Sequence, residues 1–330
     1  MNFKEAYEKF TLLFENKMNE DEAKKFLVEL YKRGESAEEI AAAAKVMREH
    51  SVKLPIPKDL QDKLIDVVGT GGDKSGSFNV SSTVALLLPS IGSYVAKHGN
   101  RSITSKSGSA DMLEALGINL NLSAQNQVKM LEKTGFCFIF AINHHPAMKY
   151  IMPIRKSLPH RTIFNILGPL TNPAGAKKYL LGVFDKSFIP KVAKALTLID
   201  TKKALVVSSN DGMDEISVSD ITYAALVERD KTKEFVIDPR EHGIVYSPFE
   251  AIVGGDAQKN AKITKAILSG ELKGAKLDIV LLNAAAALIA DGKVDSFEEG
   301  ITLAKEAIDS GRAIKKLEEI IKVSNELGEG

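Results

Sequence analysis

The chain has 330 residues, and 44% of them are hydrophobic, which is enough to bury a large core in one domain or two. Its 44 basic and 43 acidic residues leave a formal net charge of +1, so bulk charge favours neither nucleic acid nor an anionic membrane surface as a partner. The single cysteine, Cys137, excludes a disulfide framework and lies in an apolar run that predicts a buried structural thiol. The first five residues lack the apolar core of a signal peptide, and no stretch resembles a membrane span, so we expect a cytoplasmic protein.

The first 62 residues are predicted to form a small helical domain. Apolar residues recur at helical spacing from Phe3 to Phe10. Asn19 and Ser36 each precede a glutamate by three residues, which is the pattern of a capping box at a helix start. The proline-containing segment 54–57 ends the helices and forms a linker.

Residues 63–330 are predicted to form a larger α/β domain with a central, largely parallel sheet flanked by helices, because strand and helix patterns alternate from residue 64 onward. The predicted strands cover residues 64–68, 94–97, 136–142, 179–184 and 204–208. The predicted helices include residues 109–116, 124–133, 278–290, 297–309 and 314–323, and the lysine-rich segment 229–233 is predicted to be a solvated turn. Ligands of such sheets bind at the carboxyl ends of the strands, where polar segments follow in this sequence.

A glycine loop follows the first predicted strand. Gly69, Gly71 and Gly72 come directly after the apolar run, and Asn79 or one of two following serines can cap the next helix. A strand, a glycine loop and a helix start together hold phosphate groups through backbone N–H groups and the helix dipole. The spacing fits neither the Walker loop nor the dinucleotide loop, so a plain surface turn is the alternative on this loop alone.

Ordered motifs across nearly the whole chain resemble those of the anthranilate phosphoribosyltransferase family. They are Gly69-Thr70-Gly71-Gly72-Asp73 with Asn79-Val80-Ser81-Ser82, Lys97-His98-Gly99-Asn100-Arg101, residues 107–117, His145-Pro146-Ala147-Met148, Arg161-Thr162-Ile163-Phe164-Asn165 with residues 168–173, and Asp214-Glu215. Several motifs in family order are far more specific than one loop.

The resemblance implies a phosphoribosyl pyrophosphate donor and Mg²⁺ on its leaving group. It assigns the donor to Gly69, Gly71, Gly72, Asp73, Ser77, Asn79, Ser81, Ser82, Lys97 and Ser109. It assigns Mg²⁺ to Ser81, Asp214 and Glu215, and Mg²⁺ prefers one or two carboxylates together with substrate phosphates and waters. By residue type alone, Lys97 could be a surface lysine and the acidic pair could face solvent, while Asp211 is a weaker metal candidate.

The acceptor implied by the resemblance is anthranilate, which carries an amine and an ortho carboxylate. Arg155 could form a forked pair with that carboxylate, Asn100 and His145 could hydrogen-bond it, and Gly168 could form one wall. No residue is assigned with certainty as a catalytic acid or base. Asn100 and Arg155 would act by positioning, because orientation and electrostatics dominate when the amine needs little base catalysis.

The resemblance also implies that residues of about 150–175 join the helical domain in space and that the chain forms a homodimer through the N-terminal helices. These helices carry more apolar residues than three helices need among themselves, namely Phe3, Phe10, Leu12, Leu13, Phe14, Phe26, Leu27, Leu30 and Met47. One departure from the family pattern is Pro159, which stands where a glycine is expected. Proline stiffens that turn and removes a backbone N–H donor.

Two other functions compete with this interpretation. A pyrimidine-nucleoside phosphorylase is similar in architecture but uses phosphate without Mg²⁺, so Asp214 and Glu215 favour the transferase. A non-catalytic, nucleic-acid-binding relative should have a basic surface, which a net charge of +1 does not support. The adjacent pair His144 and His145 is a poor zinc site, because further ligands at suitable spacing are missing.

Overall fold

The structure is a computed structural model that describes residues 1–73, 75–101 and 106–328. It begins with helices α1 (Phe3–Phe14), α2 (Glu20–Arg33) and α3 (Ala37–Glu49). Both predicted capping boxes are confirmed, because the Asn19 side chain accepts from the N–H of Glu22 and the Ser36 side chain accepts from that of Glu39. The small N-terminal helical domain is therefore confirmed.

The apolar surplus expected of these helices is mostly buried within the chain. Phe10 and Leu30 are fully buried, and the Phe14 ring packs against that of Phe164 with centroids 5.9 Å apart. Of the residues that suggested the surplus, Leu12 is the one with a largely exposed side chain, at 43%. The surplus therefore supports a homodimer less strongly than the sequence suggested, because most of these side chains already have partners.

A seven-stranded sheet forms the centre of the rest of the chain. Its strands are β1 (Leu64–Gly69), β2 (Tyr94–Gly99), β3 (Phe136–Phe140), β4 (Lys178–Gly182), β5 (Lys203–Ser209), β6 (Thr222–Glu228) and β7 (Lys231–Ile237). Their order across the sheet is β3-β2-β1-β4-β5-β6-β7, with β1 to β5 parallel and β6 and β7 added antiparallel. The largely parallel sheet is confirmed, and the chain order reverses at β1, which is where such sheets bind ligands.

Several predicted boundaries differ from the structure, including the end of β4, which is Gly182 rather than residue 184. The third strand ends at Phe140 rather than at residue 142, because the chain turns there into the short helix α8 (Ala141–His144). The predicted turn at 229–233 is confined to Arg229 and Asp230, and Lys231 already begins β7. The first four residues of β7 are exposed, so the apolar alternation of a strand is absent there, and charged side chains are typical of an edge strand.

Helices cover the sheet and connect it to the N-terminal domain. They are α4 (Lys58–Gln61), α5 (Val80–Leu87), α6 (Ser109–Ala115), α7 (Ala124–Thr134), α9 (Met148–Lys156), α10 (Phe164–Leu167), α11 (Ile189–Thr197), α12 (Ala257–Leu268), α13 (Ala275–Asp291), α14 (Phe297–Asp309) and α15 (Arg312–Gly328). Helix α13 contacts α5, β1, β4 and β5, and its apolar residues on all sides fit a buried helix. Helix α9 contacts α1 and α2, as the resemblance implies, while the exact domain boundaries stay a prediction.

The burial of the single cysteine matches the sequence prediction. Cys137 is buried, and burial raises the pKa of its thiol to about 12, as expected for a structural residue. Within the described residues, no helix has both the length and the apolar character needed to cross a bilayer.

Candidate active site

The carboxyl ends of the parallel strands lie at one edge of the sheet, and glycines let the following loops approach them closely. At Gly182, the end of β4, an added Cβ atom would overlap the backbone oxygen of Asp214. At Gly69, the end of β1, it would overlap the Asp214 carboxylate. The loop that carries Asp214 is thus seated directly on two strand ends.

The glycine loop bonds to this acidic loop. Gly71 and Gly72 adopt φ angles of +67° and +72°, a region that glycine enters at little steric cost. The Gly71 N–H donates to Asp214 Oδ2 at 2.7 Å, and the N–H of Ser81, in the first turn of α5, donates to Glu215 Oε1 at 3.2 Å. Backbone donors of the loop and of the helix start therefore both face anionic oxygens.

The two carboxylates lack a cationic side chain within ion-pair distance among the described residues. Burial, together with the nearby charge of Asp73, raises the pKa of Asp214 to about 7. Burial raises the pKa of Glu215 to about 8, with a further contribution from the charge of Asp214. The described residues contain no group of three His, Cys, Asp or Glu side chains that could hold a metal alone. The nearby cation Lys97 lowers the pKa of Glu215 but forms no direct ion pair with either carboxylate. Two carboxylates without a direct ion-pair partner fit a divalent cation that completes its shell with substrate oxygens and waters.

Lys97 is a buried residue at the same edge and not a surface lysine. Only 2% of it is exposed, and its Nζ donates to the backbone oxygen of Val67 at 2.6 Å and to Ser81 Oγ at 3.4 Å. Burial lowers the pKa of Lys97, while the carboxylates of Asp66 and Glu215 act in the opposite direction. The ammonium group therefore lies beside Ser81, among the residues predicted to bind the donor.

Asn79 precedes α5 but does not cap it, because its side chain is used elsewhere. Its amide bonds to Ser107, in the loop before α6, and to Asn260 on α12. Ser109, at the start of α6, donates from Oγ to the backbone oxygen of Asn100 at 3.2 Å. The structure thus joins the glycine loop to the loop that follows β2.

The other predicted donor residues lie on the same loop and helix. The Asp73 carboxylate accepts from the N–H of Ser75 at 3.2 Å, and the hydroxyl groups of Ser75 and Ser77 are 3.1 Å apart. Ser82 is 1% exposed, which makes it the most buried of the predicted donor ligands on α5. Lys74 and residues 102–105, which belong to the two loops, lie outside the described residues.

A pair of neutral histidines lies on the predicted acceptor side. The rings of His98 and His145 meet edge to face with centroids 5.3 Å apart, and His98 Nδ1 is 3.1 Å from the backbone oxygen of Gly168. Burial lowers the pKa of His145 to about 4 and that of His98 to about 3, so both rings are uncharged at neutral pH. Both ring nitrogens of His145 and Nε2 of His98 are buried without a hydrogen-bond partner in the described part of the chain. Such groups are expected to meet a ligand or water.

Arg155 lines a pocket of about 350 Å³ at the end of α9. Its contacts are the Met152 sulfur at 3.5 Å and the Phe164 ring, whose centroid is 5.4 Å from the guanidinium carbon. No carboxylate among the described residues pairs with it, and burial lowers the pKa of its guanidinium group. This cation is therefore available to an anionic ligand. Pro159 lies in the wall of the same pocket, so the departure from the family pattern occurs beside Arg155.

Three contributors to the site were not predicted. Arg161 donates to the backbone oxygen of Gly72 at 2.6 Å, with its guanidinium carbon 3.7 Å from the centroid of the Phe184 ring, and so links the pocket to the glycine loop. Arg161 and His98 both lie inside recognised motifs, which is a signal that could have found them. Asn260 has no such signal, because it lies 181 residues after Asn79, its partner.

Comparison with known proteins agrees with this architecture. The glycosyl transferase family matches in two parts, its helical bundle domain over residues 1–51 and its a/b domain over residues 61–314. Anthranilate phosphoribosyltransferase of Methanobrevibacter smithii is 46% identical over 98% of this chain and 96% of its own length. The corresponding protein of Petrotoga mobilis is 42% identical over 98% of this chain and 93% of its own length.

Solved structures give the same result. The anthranilate phosphoribosyltransferase of Thermus thermophilus superposes with a TM-score of 0.91 and 40% identity, over 98% of this chain and 96% of that one. The Saccharomyces cerevisiae enzyme in complex with PRPP and Mg superposes with a TM-score of 0.87 and 29% identity, over 99% and 94% of the two chains. With this fold, this edge of the sheet and this coverage, the chain belongs to the anthranilate phosphoribosyltransferases of the glycosyl transferase family.

Proposed function

We infer that this chain transfers the phosphoribosyl group of 5-phosphoribosyl 1-pyrophosphate to the amine of anthranilate and releases pyrophosphate, which is a step of tryptophan biosynthesis. The observation that carries the inference is the acid pair, with Asp214 bonded to the glycine loop and Glu215 bonded to the start of α5. The chain is 46% identical to the anthranilate phosphoribosyltransferase of Methanobrevibacter smithii. Yeast relatives have been solved with PRPP and Mg and with 4-fluoroanthranilate.

For the donor, we propose that the glycine loop and the start of α5 bind the phosphates. Gly71 and Gly72 supply the backbone conformation, while Ser81 and Lys97 supply a hydroxyl and a buried charge 3.4 Å apart. The other donor ligands that we propose are Gly69, Asp73, Ser77, Asn79, Ser82 and Ser109. Mg²⁺, when bound, neutralises negative charge on the leaving pyrophosphate, and Asp214 and Glu215 would hold it beside Ser81.

For the acceptor, we propose that Arg155 pairs with the anthranilate carboxylate. The support is a guanidinium group in an open pocket with no carboxylate partner in the described residues. His145 offers two ring nitrogens that have no hydrogen-bond partner among the described residues, and we propose Asn100 and Gly168 as the remaining contacts of the acceptor. The neutral state of His145 suits hydrogen bonding to the substrate, and no proton transfer by it is needed.

The test is the reaction itself. Protein incubated with Mg²⁺, phosphoribosyl pyrophosphate and anthranilate should consume anthranilate, which is followed by loss of its fluorescence. Chelation of Mg²⁺ should stop the reaction. A pyrimidine-nucleoside phosphorylase would instead release thymine from thymidine and phosphate and would leave anthranilate unchanged, and that outcome would overturn the proposal.

We propose a homodimer through the N-terminal helices. Its support is the family resemblance together with exposed apolar side chains on connected elements. Leu12 on α1 is 43% exposed, Tyr150 on α9 is 44% exposed and Ile142 on α8 is 69% exposed. Helices α1 and α9 contact each other, so two of these side chains lie on packed elements. A cytoplasmic location stays a prediction.

A further inference from the structure

A series of three hydrogen bonds connects the end of the glycine loop to two segments that are distant in sequence. The N–H of Gly255 donates to Asn260 Oδ1 at 2.8 Å, Asn260 Nδ2 donates to Asn79 Oδ1 at 2.8 Å, and Asn79 Nδ2 donates to the backbone oxygen of Ser107 at 3.2 Å. Asn260 is 2% exposed, so these bonds form in a site that water hardly reaches. Three segments that are far apart in sequence are joined by two side-chain amides.

Backbone groups at both ends of this series fix which amide atoms donate and which accept. An asparagine amide can be turned so that its oxygen and nitrogen exchange places, and its partners decide which way it faces. A backbone N–H only donates, so Gly255 must face the oxygen of Asn260. A backbone carbonyl only accepts, so Ser107 must face the nitrogen of Asn79. With both amides oriented in this way, Asn260 Nδ2 faces Asn79 Oδ1, so the bond between the two side chains joins a donor to an acceptor.

The segment before Asn260 also holds the glycine loop directly. Ser77 and Val253 form an antiparallel bridge, and the N–H of Gly254 donates to the backbone oxygen of Gly76 at 2.9 Å. At Gly254 an added Cβ atom would lie 2.6 Å from the Cα atom of Phe78, which shows how closely the two backbones approach. Asn260 is therefore held against the loop by its own segment.

We propose that Asn260 is a positioning residue for the donor, which holds the amide of Asn79 with its nitrogen presented to the donor phosphates. An amide nitrogen has two N–H donors, and the bond to Ser107 uses one of them. The oxygen of Asn79 is occupied by the Asn260 amide and by the Ser107 hydroxyl at 3.1 Å. The remaining N–H is the group that meets a phosphate oxygen. This proposal rests on the proposed function, because it takes the donor to be phosphoribosyl pyrophosphate.

The experiment is calorimetric titration of phosphoribosyl pyrophosphate with Mg²⁺ into the full chain at pH 6 and pH 8. Asn260→Ala removes the donor to Asn79, and binding should weaken about tenfold, the usual effect of one hydrogen bond. Asn260→Asp keeps the shape, but its ionised carboxylate has no donor, so the Asn79 amide turns its oxygen toward the phosphates. At pH 8 this variant should bind more weakly than Asn260→Ala.

The pH dependence separates positioning from simple loss of structure. As the pH falls, the introduced carboxyl group takes up a proton and can donate to Asn79 again, so the affinity of Asn260→Asp should approach that of wild type. Thr264→Val is the matched control, because Thr264 lies one turn further along α12, is buried and has its hydroxyl 2.7 Å from that of Thr83. Its affinity relative to wild type should be the same at both pH values. In all variants the KM for anthranilate should stay unchanged.

The possible outcomes are distinct. If folded Asn260→Ala and Asn260→Asp bind the donor within twofold of wild type at both pH values, the positioning role is wrong while the proposed function stands. If wild type itself does not bind the donor, the proposed function fails and this proposal fails with it. If Asn260→Ala does not fold, the isosteric Asn260→Asp variant and its pH dependence decide the question.

Discussion

Burial determines the chemistry available to the charged residues of this site. The pKa of Glu215 is raised to about 8 and that of Lys97 is lowered by the same cause, since a low-dielectric site disfavours charge of either sign. A divalent cation and a pyrophosphate would reverse both effects by supplying charges of opposite sign. The site is thus arranged for a charged ligand pair that enters from solution.

We predict that Asp214→Asn and Glu215→Gln raise the Mg²⁺ concentration needed for half-maximal turnover and lower kcat. Each removes a carboxylate that we assign to Mg²⁺, and a lost electrostatic contact in a transition state commonly costs about 2–4 kcal/mol. The measurement is initial rate against Mg²⁺ concentration at saturating donor. Asp211→Asn is the control on the same loop, because the Asp211 carboxylate already accepts from the Ser217 hydroxyl at 2.5 Å. Normal Mg²⁺ dependence in both test variants would remove these residues from the metal site.

We predict that Arg155→Ala weakens the use of anthranilate far more than the binding of phosphoribosyl pyrophosphate. A lost charged hydrogen-bond pair is worth roughly 1.5–3 kcal/mol, or about ten- to hundredfold in kcat/KM. The variant should also lose its preference for anthranilate over aniline, which has no carboxylate. Rates with both amines and calorimetry with the donor test this.

The control for Arg155→Ala is Lys149→Ala, which removes a cation from the other end of α9, where Lys149 lies over the Tyr150 ring. It should leave the ratio of rates with anthranilate and aniline at the wild-type value. An unchanged ratio in Arg155→Ala as well would exclude Arg155 from the acceptor site.

At the scale of elements, the ends of strands set the geometry of the site. The strands β1 and β4 are neighbours in the sheet and pair Gly69 with Gly182 in register. Both glycines lie under the loop that carries Asp214, and neither has room for a Cβ atom. The loop that carries the acid pair therefore packs directly against two adjacent strand ends that have no side chains.

We predict that Gly182→Ala lowers activity and raises the Mg²⁺ requirement, because the new methyl group must displace the backbone of Asp214. Val183→Ala is the matched control, since Val183 is the next residue and is fully buried. The control should lose stability by leaving a cavity but keep the wild-type Mg²⁺ requirement. Thermal unfolding and Mg²⁺ titration of activity, measured on both variants, separate the two effects. A wild-type Mg²⁺ requirement in Gly182→Ala would show that the loop does not depend on this approach.

At the scale of the whole molecule, the N-terminal helices contact the rest of the chain through residues 160–170, which include part of the Arg155 pocket. Arg48 on α3 donates to the backbone oxygen of Leu170 at 2.6 Å, and the ring of Tyr31 on α2 stacks on that of His160 with centroids 3.9 Å apart. The next residue, Arg161, bonds to Gly72 in the glycine loop. A continuous set of contacts therefore runs from the helical domain through the wall of the Arg155 pocket to the glycine loop.

We predict that the protein is a homodimer at micromolar concentration, so light scattering should give twice the chain mass of 35.8 kDa. Leu12→Glu places a charge on the exposed part of α1 and should shift the mass toward one chain without unfolding it. Val245→Glu is the control, because Val245 is 80% exposed and lies after β7, outside the N-terminal helices. A wild-type mass of one chain would exclude the homodimer.

The sequence alone determined the helices and strands that can be recognised from residues close together in the chain. The capping residues Asn19 and Ser36 start helices as predicted, and the apolar runs of the five parallel strands gave their places to within two residues. The family resemblance pointed to Asp214 and Glu215, and the shared edge of parallel strand ends predicted that their segment and the glycine loop would lie close together. The strand that begins at Lys231 was missed, because an exposed edge strand does not need apolar alternation.

Tertiary structure decided the properties that depend on neighbours distant in sequence. The sequence could not distinguish a buried Lys97 from a solvated one, since burial results from packing around the whole strand end. It gave no sign of Asn260, whose role depends on a hydrogen bond to Asn79 across 181 residues. Sequence patterns report the chain's local preferences, whereas pKa values and hydrogen-bond direction arise only when separate segments exclude water together.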